Sequence, residues 1–344
     1  MLLPTSKTYT VPEFALVGGG RLAPLTIAYE TWGTLAPDGR NALLLCHGYT
    51  SNPHAAGDEA GWWHNLIGPG CAVDTDRYFV VCSNMLGSAF GSSGPQSIDP
   101  ATGRPFGPSF PDFVLPDMVA AQRLLLEHLG VRQLAAVMGF SFGGHVATQW
   151  SVAHPNFMRA TIIVASGIKG RGDATTVDAI EQRFAKCEGW NGGDYYNSDP
   201  GGSVHSELKR LRLDTLRGYG VDVSLRDRLG DDTAAAAALD KLADDWAGHF
   251  DANSLVKLRR AAIRFDGRPH VARIKSPVLY VLSRTDALFP PDIAPPTMQL
   301  FADAGVNAEY FEIDSEYGHF APSGDWQKWG PTLESFLDRH ARAA

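Results

Sequence analysis

From residue 134 to residue 153 the chain runs through an apolar segment, a Gly-Phe-Ser-Phe-Gly-Gly turn and a second apolar segment at helical spacing, with no linker between them. Residues 134–138 have the length and character of a buried strand, and 142–153, halted by Pro155, those of a helix. A strand that feeds through glycines straight into a helix is half of a parallel strand–helix–strand unit, and 161–165 reads as the strand that completes it. This constrains the whole chain to an α/β class, with a mostly parallel sheet covered by helices on both faces.

Other segments extend the alternation. Strand-like runs lie at 25–29, 42–46 and 78–83, and 115–129 has helical spacing through Met118, Leu124, Leu125 and Leu129. Residues 87–111, rich in Gly, Pro and Ser, read as a surface loop. After 167 the alternation stops, and 177–185, 207–216, 234–249 and 254–264 are helical in pattern without a strand among them. It resumes with a strand at 278–282, a helix at 291–304, a strand at 308–313 and a helix at 325–342. One core, 1–167 plus 271–344, is therefore expected to hold a helical insertion at 168–270, placed to act as a lid over the C-terminal edge of the sheet.

Charge narrows the partners. With 30 Lys and Arg against 38 Asp and Glu, the net charge of −8 argues against a nucleic-acid or anionic-membrane partner, which needs a basic face. No apolar run approaches the roughly 18 residues of a membrane span, and residues 1–10 lack a secretory h-region. Cys46, Cys71, Cys82 and Cys187 have no zinc-ligand spacing. Cys46 and Cys82 lie inside apolar runs, as buried free thiols do, which fits a reducing, cytoplasmic compartment. No metal or redox cofactor is implied.

The chemistry concentrates at Ser141. A G-x-S-x-G pattern alone arises by chance in roughly one chain in ten of this length. Here it sits between a strand and a helix, where glycines let the chain pass closely and the serine is held in a strained turn. A serine hydroxyl needs a base, and His319, between the last strand and the final helix, occupies the position for one. His145 lies within the helix after Ser141 and suits packing, and His128 and His154 end helices. Asp286, after strand 278–282, is the acid that would orient His319; Asp292 and Asp314 are its rivals. The backbone N–H groups of Phe142 and Tyr49 are the expected oxyanion donors, with His47 bracing the Tyr49 loop.

Longer strings then come into play: Gly61-Trp62-Trp63, residues 66–70, 74–84 and 91–95, and Tyr317-Gly318-His319. Through these the chain resembles the homoserine O-acetyltransferase family. The resemblance implies an α/β-hydrolase fold with a helical lid, a Ser141–Asp286–His319 triad, an acyl-serine intermediate and a homodimer formed through the lids. The sequence departs from that family where substrate is held. Phe140 and Phe142 flank the serine, and Phe320-Ala321-Pro322 follows His319 where the family has an aspartate for the amino group of homoserine. The family's lid arginine for the substrate carboxylate has no clear counterpart; Arg212, Arg217 and Tyr219 qualify only by location. A zwitterion brought into a dry pocket needs both charges paired, so a wall of Phe140 and Phe320 suits an apolar group better. The pattern is closer to the homoserine-acetyltransferase-like esterases of that family. The expected function is hydrolysis of short acyl esters. The alternatives are acetyl-CoA-dependent transfer to homoserine or another hydroxyl compound, and a non-catalytic binding homologue.

Overall fold

The computed structural model describes residues 6–197 and 201–342. Its centre is an eight-stranded sheet of β1 (Lys7–Val11), β2 (Leu25–Trp32), β3 (Ala42–Cys46), β4 (Phe79–Ser83), β5 (Leu134–Phe140), β6 (Met158–Val164), β7 (Val278–Ser283) and β8 (Ala308–Ile313). The spatial order is β1-β2-β4-β3-β5-β6-β7-β8. β1 and β2 run antiparallel at one edge, and from β4 to β8 every pairing is parallel. β1 has no counterpart in the apolar patterning, because Lys7, Thr8 and Thr10 face outward at the sheet edge.

Period-two alternation builds the layers. Leu44 and Cys46 of β3, with Phe79 and Val81 of β4, join one core, packed under α1 (Leu115–His128) and α2 (Phe142–Ala153). Leu43, Leu45, Val80 and Cys82 point the other way and join Trp63, Trp329 and the C-terminal helix, Gly330–His340. Both faces of the central strands are thus dry, as a parallel sheet requires. The buried polar groups of the first core are joined to each other. Trp150 Nε1 donates to Gln122 Oε1 at 2.7 Å, and Gln122 Nε2 donates to Ser83 Oγ at 3.0 Å.

Two expectations need correcting. Residues 87–95 are not a surface loop but are almost entirely buried. Phe90 packs on Phe250 at 5.8 Å between ring centroids, and the Ser92 and Ser93 hydroxyls accept the Ala28 and Thr26 N–H groups at 3.0 and 2.8 Å. The 325–342 helix is interrupted: a 3₁₀ turn at Trp326–Lys328 ends at Trp329, whose φ of −128° is non-helical, before Pro331 enters the first turn of the next helix. Cys46, Cys71, Cys82 and Cys187 are free thiols, and burial pushes the Cys46 thiol up to about 12.

Between β6 and β7 lie α3 (Ala174–Ala185), α4 (Ser203–Gly218), α5 (Val221–Leu229), α6 (Asp232–Ala247) and α7 (Ala252–Ile263). Sequence patterning missed α5, which Gly220 separates from α4 by a left-handed residue at φ 82°. Leu216, Val221, Leu225, Leu239 and Ala243 give these helices a small core of their own. No helix among the described residues is long and apolar enough to cross a membrane.

Candidate active site

Ser141 sits where β5 becomes α2, at φ 56° and ψ −121°. A non-glycine residue held there costs about 1–3 kcal/mol, which the surrounding packing must supply. The neighbouring glycines are obligatory. A Cβ on Gly139 would lie 1.9 Å from the Gly143 carbonyl oxygen, and one on Gly143 would lie 1.8 Å from that of Cys46. The elbow is therefore wedged against β3, and the Ser141 side chain stands at the C-terminal edge of the sheet.

Three loops at that edge meet. Ser141 Oγ lies 2.8 Å from His319 Nε2, and His319 Nδ1 lies 2.7 Å from Asp286 Oδ2. The other Asp286 oxygen accepts the backbone N–H groups of Leu288 and Phe289, at 2.8 and 3.2 Å. Thr285 ties the acid loop to the base loop: its hydroxyl donates to the Ser315 carbonyl at 2.8 Å and accepts the Gly318 N–H at 3.1 Å. Ser141, Asp286 and His319 are all buried. Of the rival acids, Asp292 is exposed and Asp314 bonds Arg284 at 2.6 Å. With Nδ1 donating to Asp286, Nε2 is free to accept the serine proton, the tautomer that general-base work requires.

His319 is boxed by rings: Tyr219, Phe140 and Phe289 have centroids 4.7, 5.0 and 5.8 Å away. The Phe142 N–H, first in α2, has no acceptor within its helix, and the dipole of α2 adds positive potential there. Tyr49 follows β3 and stacks on Phe142 at 6.1 Å, its hydroxyl donating to the Leu255 carbonyl of α7. His47 holds this loop from below. Its Nδ1–H donates to the Gly48 carbonyl at 2.9 Å and its Nε2 accepts the Met85 N–H at 3.1 Å, while burial pushes its pKa down to about 4. His145 is likewise pushed to about 4 by burial, and its Nδ1–H donates to the Gly167 carbonyl at 2.7 Å.

Over Ser141 opens a cavity of about 580 Å³, walled by Tyr49, Phe142, Tyr219 and Phe289 and also by Arg171, Arg183, Asp214 and Arg259. Neither Phe140 nor Phe320 lines it, contrary to expectation. Phe140 packs with the core of Trp63 and Trp329, its ring lying between His319 at 5.0 Å and Trp63 at 6.0 Å. Phe320 packs its side chain into the core of α4–α6, and its N–H donates to the Tyr219 carbonyl at 2.9 Å. Arg217 is exposed, whereas Arg212 reaches inward. Its Nη1 donates to Thr50 Oγ1 at 2.9 Å, its Nε is buried without a partner, and its guanidinium lies 5.1 Å from the Trp246 ring. Burial pulls its pKa down to about 10. Arg171, Arg259 and Thr50 drew no attention in the sequence; Arg171 and Thr50 lie on loops, and for Arg259 the phase of its helix does not distinguish a cavity wall from a solvated face.

The sequence model described as alpha/beta hydrolase fold matches residues 41–323. A homoserine O-acetyltransferase from Haemophilus influenzae (strain 86-028NP) is 35% identical, across 96% of this chain and 97% of that protein. Among solved structures, homoserine O-acetyltransferase from Bacillus anthracis superposes with a TM-score of 0.84 at 27% identity, covering 98% of this chain and 99% of its own. Esterase E22 superposes with a TM-score of 0.82 at 26% identity, covering 96% and 99%.

Proposed function

The chain belongs to the homoserine O-acetyltransferase family of α/β-hydrolase-fold proteins, and we propose that within it this enzyme is a carboxylic ester hydrolase for short acyl esters. The hydrogen-bonded chain from Ser141 through His319 to Asp286 is the observation that carries the acyl-transfer chemistry. Ser141 Oγ attacks the acyl carbonyl as its proton passes to His319 Nε2. The N–H groups of Phe142 and Tyr49 receive the developing oxyanion, and Asp286 stabilises the imidazolium. The leaving oxygen takes the proton from His319, which then draws one from water to release the acid.

Water is favoured as the acceptor by the state of the one carboxylate on the described wall. Homoserine carries an ammonium, and Asp214, the one carboxylate on the described wall, is already paired with Arg183 at 3.1 Å. An ammonium desolvated there would lose several kcal/mol of hydration without a partner. The second reading, acetyl transfer to a hydroxyl acceptor, is favoured by the homoserine O-acetyltransferase at 35% identity. It is also favoured by Arg212, a half-buried cation with no acidic partner among the described residues, which suits a carboxylate.

One purified sample assayed for hydrolysis of 4-nitrophenyl acetate, and for CoA release from acetyl-CoA with L-homoserine, separates the two. Ester hydrolysis that needs Ser141, without homoserine-dependent CoA release, is the expected result. Homoserine-dependent release faster than hydrolysis would establish the transferase instead.

A further inference from the structure

The chain carries eight more acidic than basic side chains, yet the described wall of the cavity over Ser141 has three arginines against one aspartate. Arg259 projects from α7, and its Nε donates to Thr176 Oγ1 at 3.1 Å. Arg171, on the loop between β6 and α3, lies with its guanidinium 5.4 Å from the Phe289 ring, the same ring that stands beside His319. Neither has an acidic partner within ion-pair distance among the described residues, whereas the third arginine of the wall, Arg183, is neutralised by Asp214 and Glu207. Burial raises the Tyr219 pKa, helped by the charge of Asp286, and Arg212, Arg259 and Arg171 pull against it, so all three cations are felt beside His319. Two unpaired guanidinium groups facing the same cavity as a nucleophile leave a place for an anion, and their planar forks match carboxylate and phosphate oxygens.

We propose that Arg171 and Arg259 select the leaving group, so that the preferred substrate, hydrolysed by the acyl-serine chemistry proposed above, is a short acyl ester whose alcohol part carries an oxyanion, carboxylate or phosphate. In the first step the acyl carbon bonds to Ser141 Oγ and the ester C–O bond breaks. The departing oxygen takes the serine's proton by way of His319, and the anionic alcohol leaves past the two arginines. Water then cleaves the acyl-serine bond and releases the carboxylic acid. Among the described residues of the wall the one carboxylate, Asp214, is paired with Arg183, so the selected alcohol is an anion rather than a zwitterion.

The test compares phenyl acetate, 4-acetoxybenzoate and 4-acetoxyphenyl phosphate as substrates of the wild type and of Arg171→Met, Arg259→Met and the double variant. The readout is the ratio of kcat/KM for each charged ester over the neutral one, because intrinsic ester reactivity cancels when that ratio is compared between proteins. A charge-assisted hydrogen bond lost at each arginine should lower the ratio about tenfold, and added salt should lower the wild-type ratio. A fall for the carboxylate ester alone assigns a carboxylate, a fall for the phosphate ester alone assigns a phosphate, and a fall for both assigns an oxyanion of either kind. A ratio within twofold of wild type in the double variant would overturn the proposal. If that variant does not fold, Arg171→Met, on an exposed loop, decides by the same criterion. Turnover that persists in Ser141→Ala, or a wild type that cleaves none of the esters, would instead refute the acyl-serine chemistry itself, and the arginine assignment with it.

Discussion

Asp286→Asn replaces one oxygen with nitrogen and changes almost no volume, yet the structure assigns it a large cost in rate. Asp286 Oδ1 accepts two backbone N–H groups, at 2.8 and 3.2 Å, so the asparagine must keep its carbonyl oxygen there. Its amide nitrogen, a donor, then faces His319 Nδ1 across the present 2.7 Å contact. Two donors cannot share that contact, so His319 shifts its proton to Nε2 and meets the Ser141 hydroxyl with an N–H instead of a lone pair. General-base assistance is lost while the cavity, the oxyanion donors and the fold persist. A wrong-tautomer base lowers kcat by about 10⁴, equivalent to about 5.5 kcal/mol of barrier. Steady-state hydrolysis of 4-nitrophenyl acetate, corrected for the spontaneous rate, measures it, with thermal unfolding as the check that the protein is intact. KM should move little. A variant retaining more than about a hundredth of the wild-type kcat would refute the tautomer argument, because His319 would then be finding its orientation without the carboxylate.

Gly143→Ala puts a methyl group 1.8 Å from the Cys46 carbonyl oxygen, on backbone that cannot retreat from the sheet, so soluble yield or kcat/KM should collapse; wild-type kinetics in a folded sample would show that the elbow is not wedged against β3. Burial pushes both His47 and His145 from 6.5 down to about 4. Below pH 6.5 the unfolded chain therefore binds protons that the folded one refuses. Their contribution to stability is full above that pH and is lost as pH falls towards 4, by about 2 kcal/mol for each histidine at pH 5. Urea titrations at pH 7 and pH 5 read this, and equal stability at the two values would contradict the burial of these rings.

How far the sequence reaches depends on where the signal is local. Ala42–Cys46, Phe142–Ala153 and Ala308–Ile313 end where their turn and breaker residues end them, so their bounds were legible. The elbow was legible because a strand, glycines and a helix in direct succession admit few backbones. Asp286 and His319 lie 145 and 178 residues beyond Ser141, and only the chain order of a parallel sheet suggested that loops so distant share one edge. What escaped depended on side-chain direction. Phe140 is one residue from Ser141 yet packs behind His319 against Trp63 instead of lining the cavity. Phe320 follows His319 yet packs against the core of α4–α6. Arg212 and Arg217 are both on α4, and only the packed structure distinguishes the half-buried cation from the solvated one. The burial of 87–95 also escaped, because small polar residues that satisfy strand-edge N–H groups look in sequence like those of an exposed loop.

The central claim is that acyl groups pass through Ser141. Rapid acid quench of the enzyme during turnover of 4-nitrophenyl acetate, followed by mass spectrometry of its peptides, tests it most directly. One acetyl group on the peptide carrying Ser141, absent from Ser141→Ala and accumulating as the first burst of nitrophenol appears, is the predicted result. Undiminished hydrolysis by Ser141→Ala, or an acetyl group formed at a different residue at the rate of turnover, would contradict it.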